Sequence, residues 1–194
     1  GLEFEPGSKW QYSNYGFLLL GVIVERVSGQ SYYDYVRDHI FKPAGMTGSG
    51  SEPEDVAVPG RAKGYMQQKG VWVPNTDTLP YRGTSAGGGY TTVGDLLRFA
   101  TALNGHVLLD ARHTALMTAG KVDTPGGGKY AYGFSEDLEG GVRSFGHSGG
   151  APGMNGDLRI CPQSGYVVAA LANTGSGASQ VVAWVSGRLP APPR

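Results

Sequence analysis

The chain has 194 residues with 16 basic and 16 acidic side chains, which fits one domain or two closely packed lobes and gives no electrostatic reason to bind nucleic acid or an anionic membrane. Only 16% of residues are charged and 33 are glycine without a Gly-X-Y period, which excludes collagen and points to many tight turns. The single cysteine, Cys161, excludes an intrachain disulfide and a cysteine-based zinc site, and the apolar stretch from Phe17 to Val24 is too short to cross a bilayer.

In chain order, residues 13–28 read as a helix, with Ser13 or Asn14 as N-cap and Gly29 just past its end. Phe17, Leu18, Leu19, Leu20, Val22, Ile23, Val24 and Val27 cover almost its whole circumference, so the helix is expected in a core and not on a surface. Ser31 and Asp34 start a second helix that Pro43 is expected to stop. Residues 45–89 are rich in Gly, Pro, Ser and Thr and read as a long loop region with short strands near Arg61–Met66 and Val71–Pro74.

Thr92 and Asp95 cap a third helix ending at Asn104, and Asp110 caps a shorter one reaching Met117. After Gly128 the apolar period becomes two. One hairpin is expected to turn at Gly140-Gly141 and another at Gln163-Ser164-Gly165. A closing helix from Ala178 to about Arg188 supplies Val181, Val182, Trp184, Val185 and Leu189 to one face, and "PAPPR" reads as a frayed tail. Four antiparallel strands flanked by helices make an α+β fold. Residues 1–125 form its helical and loop part, and residues 126–190 its strands and final helix.

Most glycine and histidine clusters have plain structural readings. "PGGGKY" (125–130) lacks a Ser or Thr after its lysine and leads into a strand, so it is a loop and not a phosphate cradle. "SAGGGYTT" (85–92) leads into a helix but reads best as close backbone packing. His39, His106 and His113 have no partner at metal-ligand spacing, so no metal or cofactor is expected. His147, at a strand end in "FGHSGGAPG", and Tyr12 with Asn14, on the lip of an apolar helix, each have a bland reading alone: strand terminus and helix cap. Their occurrence together, in this order, is what carries weight.

The ordered set resembles the serine β-lactamase and penicillin-binding protein superfamily, in the branch with class C β-lactamases, D-peptidases and esterases. Tyr12-Ser13-Asn14 matches the family's Tyr-x-Asn, within "PGSKWQYSNYGFLLLGVIVERVSGQSYYDYVRDHIFKPAGMTGSG". His147-Ser148-Gly149 matches its Lys-Thr-Gly or His-x-Gly motif, and "SAGGGYTTVGDLLRFATAL" its glycine-rich segment and following helix. The resemblance covers essentially the whole chain and implies a partial β-lactamase/transpeptidase-like fold, incomplete at the N-terminus.

By that resemblance, a serine attacks a carbonyl to form an acyl-enzyme that water later releases. Tyr12 would exchange protons with nucleophile and leaving group, a phenol beside an ammonium group yielding its proton more readily. Asn14 would hydrogen-bond the substrate amide, and His147 and Ser148 would lie along the substrate. Gly149 would admit its backbone, and the Gly150 amide would supply one oxyanion-hole donor, worth roughly 3 kcal/mol in the transition state. Asn173 is a weaker contact for a substrate carboxylate, and Tyr90 could line the floor of the cleft; for both, a structural role is the better expectation.

No serine in the sequence is followed three residues later by lysine, so the family's Ser-x-x-Lys nucleophile is absent. The expectation is that an N-terminal portion carries it, and that this chain is inactive alone. That portion, or a second copy of the chain, is expected to cover the first helix. Histidine in the third motif points to D-amino-acid peptides or esters as substrates ahead of β-lactams, and the resemblance favours a periplasmic or secreted location. The alternative is a binding or regulatory module that kept the fold and lost the nucleophile; retention of Tyr12, Asn14 and His147 argues against it.

Overall fold

A computed structural model describes residues 1–139 and 141–190. The expected hairpin turn at Gly140 and the tail beyond Pro190 therefore lie outside the described residues. Helix α1 (Asn14–Ser28) is capped by Ser13, whose side chain accepts the Gly16 amide, and ends on Gly29 at a left-handed φ of 71°. Ser13, not Asn14, is thus the cap. Ser31 caps α2 (Tyr32–Val36), which continues through a π-helical turn (Arg37–Phe41) into α3 (Lys42–Ala44).

Pro43 does not stop this helix. It lies within α3, and Gly45 at φ 71° ends it instead. The π turn explains the tolerance: wide i→i+5 spacing shifts the backbone register ahead of a residue that has no N–H to donate. The first hairpin pairs β1 (Tyr65–Gln68) with β2 (Val71–Pro74). Its first strand starts four residues later than the expected Arg61, because residues 61–64 are tied elsewhere. The Arg61 guanidinium donates to the Glu54 and Val56 carbonyls, and the Asn75 amide donates to the Gly64 carbonyl.

Thr92 caps α4 (Val93–Asn104) and Asp110 caps α5 (Ala111–Thr118), each side chain accepting a backbone amide three residues on. The sheet that follows has six strands, not four, in sequential antiparallel order. Its strands are β3 (Val122–Asp123), β4 (Lys129–Tyr130), β5 (Ser135–Glu139), β6 (Val142–Ala151), β7 (Met154–Cys161) and β8 (Tyr166–Ala172). The two extra strands have two residues each, too short for a period-two pattern to register. Gly165 at φ 74° makes the β7–β8 turn.

The sheet alternates its faces as pleating requires. Leu158 and Ile160 of β7 join Phe145, Phe134, Ala100 and Leu103 in a core under α4. Asn155, of opposite parity on β7, instead meets the closing helix α6 (Ala178–Ser186): its side-chain oxygen accepts the Ser179 amide at 2.9 Å. Ala178 and Val182 of α6 are buried there, while Val181 and Trp184, assigned to one face with Val182, are exposed. A helix lying on one sheet face can bury only one of its stripes.

Helix α1, expected in a core but also expected to need cover from outside this chain, is largely uncovered here. Among its residues only Gly21 is buried, and Leu19, Leu20, Val22, Ile23 and Val27 are exposed. Within this chain it is held by one narrow stripe. The Glu25 carboxylate accepts the Tyr32 amide at 2.8 Å, and Ser85 lies so near Gly21 that an added Cβ would stand 2.2 Å from its hydroxyl oxygen.

Candidate active site

The mouth of α1 and the far end of β6 meet. The Tyr12 ring lies two residues ahead of α1, with its centroid 6.2 Å from the imidazole of His147. Tyr130 of β4 completes the cluster: its ring stands edge-on to Tyr12 at 6.3 Å and to His147 at 5.9 Å, and Trp10 packs on it at 6.2 Å. The Tyr130 hydroxyl is 3.0 Å from His147 Nε2, and His147 Nδ1 is 2.5 Å from the Ser148 carbonyl oxygen. Burial, with the Tyr12 phenol second, raises the Tyr130 hydroxyl above its ordinary range and keeps it protonated at neutral pH.

Strand β6 changes character at this point. Its pairing with β5 ends at Ser135↔Gly146, whereas its pairing with β7 runs on to Ala151↔Met154. From His147 to Ala151, therefore, one edge has no strand partner among the described residues, and Ser148, Gly149 and Gly150 are exposed. An open edge of this kind offers main-chain donors and acceptors to an extended ligand. Gly146 fixes the approach: a Cβ there would stand 1.8 Å from the Leu158 carbonyl oxygen, so no other residue fits so close to β7. Asn155 steadies the open segment from beneath, donating to the Gly149 carbonyl at 2.8 Å.

The remaining site residues foreseen from sequence are spread around this cluster. Asn14 is exposed at the first position of α1. Ser148 stands opposite Asp157, whose carboxyl is raised by burial against the opposing pull of Ser179, Arg159 and His147. Asn173 is taken up structurally, its amide donating to the Lys63 carbonyl at 3.0 Å and its own carbonyl accepting the Tyr65 amide. Tyr90 likewise donates its hydroxyl to the Glu52 carboxylate, and burial together with that partner pushes it up to about 12. Tyr130 is the residue that sequence reasoning missed. Its only local signal was an aromatic beginning a period-two run, which reads as strand packing.

The other histidines have local partners. His39 stacks on Tyr35 at 4.3 Å, His106 lies 3.3 Å from the Thr114 hydroxyl, and His113 pairs with Asp110. Among the described residues no group of three or more His, Cys, Asp or Glu side chains is placed to hold a metal ion. The Gly-rich segment before α4 is close packing: a Cβ on Gly83 would stand 2.3 Å from the Gly89 nitrogen.

Comparison with known proteins agrees with this fold. Penicillin-binding protein 4 of Amycolatopsis lactamdurans is 32% identical, the alignment covering 92% of this chain and 51% of that one. The crystal structure of a penicillin binding protein from Bacillus halodurans superposes with a TM-score of 0.93 at 33% identity, covering 97% of this chain and 59% of that chain. A D-stereospecific amidohydrolase from Streptomyces sp. superposes at 0.83 with 26% identity, covering 97% and 58%. The chain spans at most about half the length of the curated relatives it matches. Residues 1–189 match the family model described as Beta-lactamase. On that match, and on an α+β fold shared with these relatives, the chain belongs to the beta-lactamase family.

Proposed function

We propose that this chain carries the proton-handling and substrate-aligning half of a serine hydrolase that works through an acyl-enzyme, and that the nucleophile comes from outside these 194 residues. The observation that carries this reading is the meeting of Tyr12 and His147, distant in sequence, at 6.2 Å beside the open edge of β6. A base and a strand edge are what an acyl transfer needs besides its nucleophile. The edge aligns the substrate backbone, and the phenol relays a proton to the leaving group. Asn14 binds the substrate amide, and the Gly150 amide donates to the oxyanion. No Ser-x-x-Lys occurs in the sequence, so the covalent step needs a segment that supplies it.

The same segment is proposed to cover α1, whose exposed Leu19, Leu20, Val22, Ile23 and Val27 form an apolar face that would otherwise drive association. D-amino-acid amides, D-peptides and short esters are the proposed substrates, with β-lactam turnover weak. Two observations support that ranking: an imidazole stands in the third motif where a lysine ammonium would bind a carboxylate more strongly, and a D-stereospecific amidohydrolase shares the fold.

The test is a substrate panel on the whole protein, nucleophile-bearing segment included, with D-alanyl peptides and amides, short-chain nitrophenyl esters and nitrocefin. Turnover of the first two classes is expected to lead. Nitrocefin hydrolysis outpacing them would overturn the ranking, and no turnover of any would favour a binding module.

A further inference from the structure

We propose that Tyr130 is the positioning residue of His147: its hydroxyl donates to Nε2 and locks the imidazole as a single neutral tautomer, with Nδ1 protonated, beside Tyr12. The Ser148 carbonyl oxygen can only accept, so Nδ1, 2.5 Å away, must carry the ring proton. A neutral ring then presents a lone pair at Nε2, and the Tyr130 hydroxyl at 3.0 Å is the donor that meets it. Burial raises the Tyr130 hydroxyl, so it keeps its proton to donate.

The placement is rigid. Tyr130 pairs with Val122 of β3 on one side and Ser135 of β5 on the other, and its carbonyl accepts the Lys121 amide at 2.8 Å. Trp10 and Tyr12 close on its ring. A partner held on two strands fixes a ring more sharply than a loop residue does. One consequence separates roles within the cluster. With both nitrogens engaged inside the protein, His147 is not a free base; it sets the wall of the cleft, and the proton traffic falls to Tyr12. This inference deepens the acyl-transfer reading and rests on it for its kinetic consequence, but the hydrogen bond itself stands apart from any activity.

The experiment uses the whole protein with 15N-labelled histidine, as wild type and as Tyr130→Phe. Long-range 15N–1H spectra of the wild type are expected to show His147 protonated at Nδ1, with Nε2 shifted by an accepted hydrogen bond. Tyr130→Phe should move the Nε2 signal to its unbonded position. On a D-alanyl amide, Tyr130→Phe should lower kcat/KM by roughly fivefold to tenfold, the worth of one neutral hydrogen bond. In a His147→Gln background the same change should cost nothing further.

A wild-type His147 protonated at Nε2, or an equal kinetic loss in both backgrounds, would overturn the proposal. If Tyr130→Phe fails to fold, 3-fluorotyrosine at position 130 keeps the ring and strengthens the donor, and must shift Nε2 the opposite way. An unmoved signal would again refute the bond. A wild type inactive on every substrate would sink the acyl-transfer reading and leave the spectra to judge Tyr130 alone.

Discussion

Helix α1 and the sheet are both built from apolar residues, yet they end in opposite environments. Phe145 and Ile160 keep 3% and 0% of their surface, whereas Ile23 and Val27 keep 54% and 84%. The sheet closes its own core, because α4 lies on one face and α6 on the other. Helix α1 has an apolar circumference but packs mainly on α2 and the Ser85 loop, with Phe17 near Gly133. Burial is a property of the partner as much as of the segment, and α1 is an apolar element left largely uncovered by the described residues. The candidate-site cluster sits where the two regions touch, with Tyr12 contributed by the α1 region and Tyr130 and His147 by the sheet.

The largest effect should come from severing that contact chemically. Tyr12→Phe in the whole protein is expected to lower kcat/KM on a D-alanyl amide by about 10²–10⁴, the usual worth of a positioned proton carrier, with an unchanged thermal midpoint. Full activity in this variant would remove Tyr12 from the proton path.

Next comes the sheet's independence. Phe145→Ala empties a fully packed site and should cost roughly 3–5 kcal/mol of stability in denaturant titration. A loss near zero would show that the sheet does not hold its own core.

A third effect is electrostatic. Burial pushes Glu136 up, but the Arg143 guanidinium and the Gly120 amide outweigh it and hold the carboxyl below its ordinary value. Arg143 in turn donates to the Thr118 carbonyl at 2.7 Å, so this group ties β5 and β6 to the end of α5. For a lowered acid the unfolded state binds the proton first. The stabilisation is therefore full above about pH 4.5, the ordinary value, and is lost as pH falls through the lower folded value. Glu136→Gln should cost about 1–3 kcal/mol at pH 7 and flatten the acid limb of the stability curve. An unchanged limb would contradict the assignment.

The smallest effect sharpens the comparison most. Replacing Ile23 and Val27 by serine should change the stability of this chain alone by no more than about 0.5 kcal/mol per site, as at other exposed positions. In the whole protein the same pair should be costly. Equal effects in both would mean that α1 has no partner there.

The sequence made the local chemistry legible where a cap or turn is spelled by a few neighbours. Ser31, Thr92 and Asp110 cap their helices as expected, Gly29 ends α1, and Gly165 turns β7 into β8. Tyr12 and His147 were legible only as members of an ordered motif set. What escaped were interactions between residues with no fixed spacing. Tyr130 meets His147 through the pairing of β4 with β5 and β5 with β6, and Glu136 meets Arg143 across one hairpin. The open face of α1 was legible only through the absent Ser-x-x-Lys motif: periodicity reports which face is apolar, not what will cover it.

The central claim, that the attacking serine lies outside these residues while Tyr12 and His147 lie within them, has one direct measurement. The whole protein is treated with an activated serine-directed acylating ester, digested, and mapped by mass spectrometry. The account predicts a single labelled serine outside the 194 residues and followed three positions later by lysine, with labelling suppressed by Tyr12→Phe. Stoichiometric labelling of any serine within the 194 residues would contradict it.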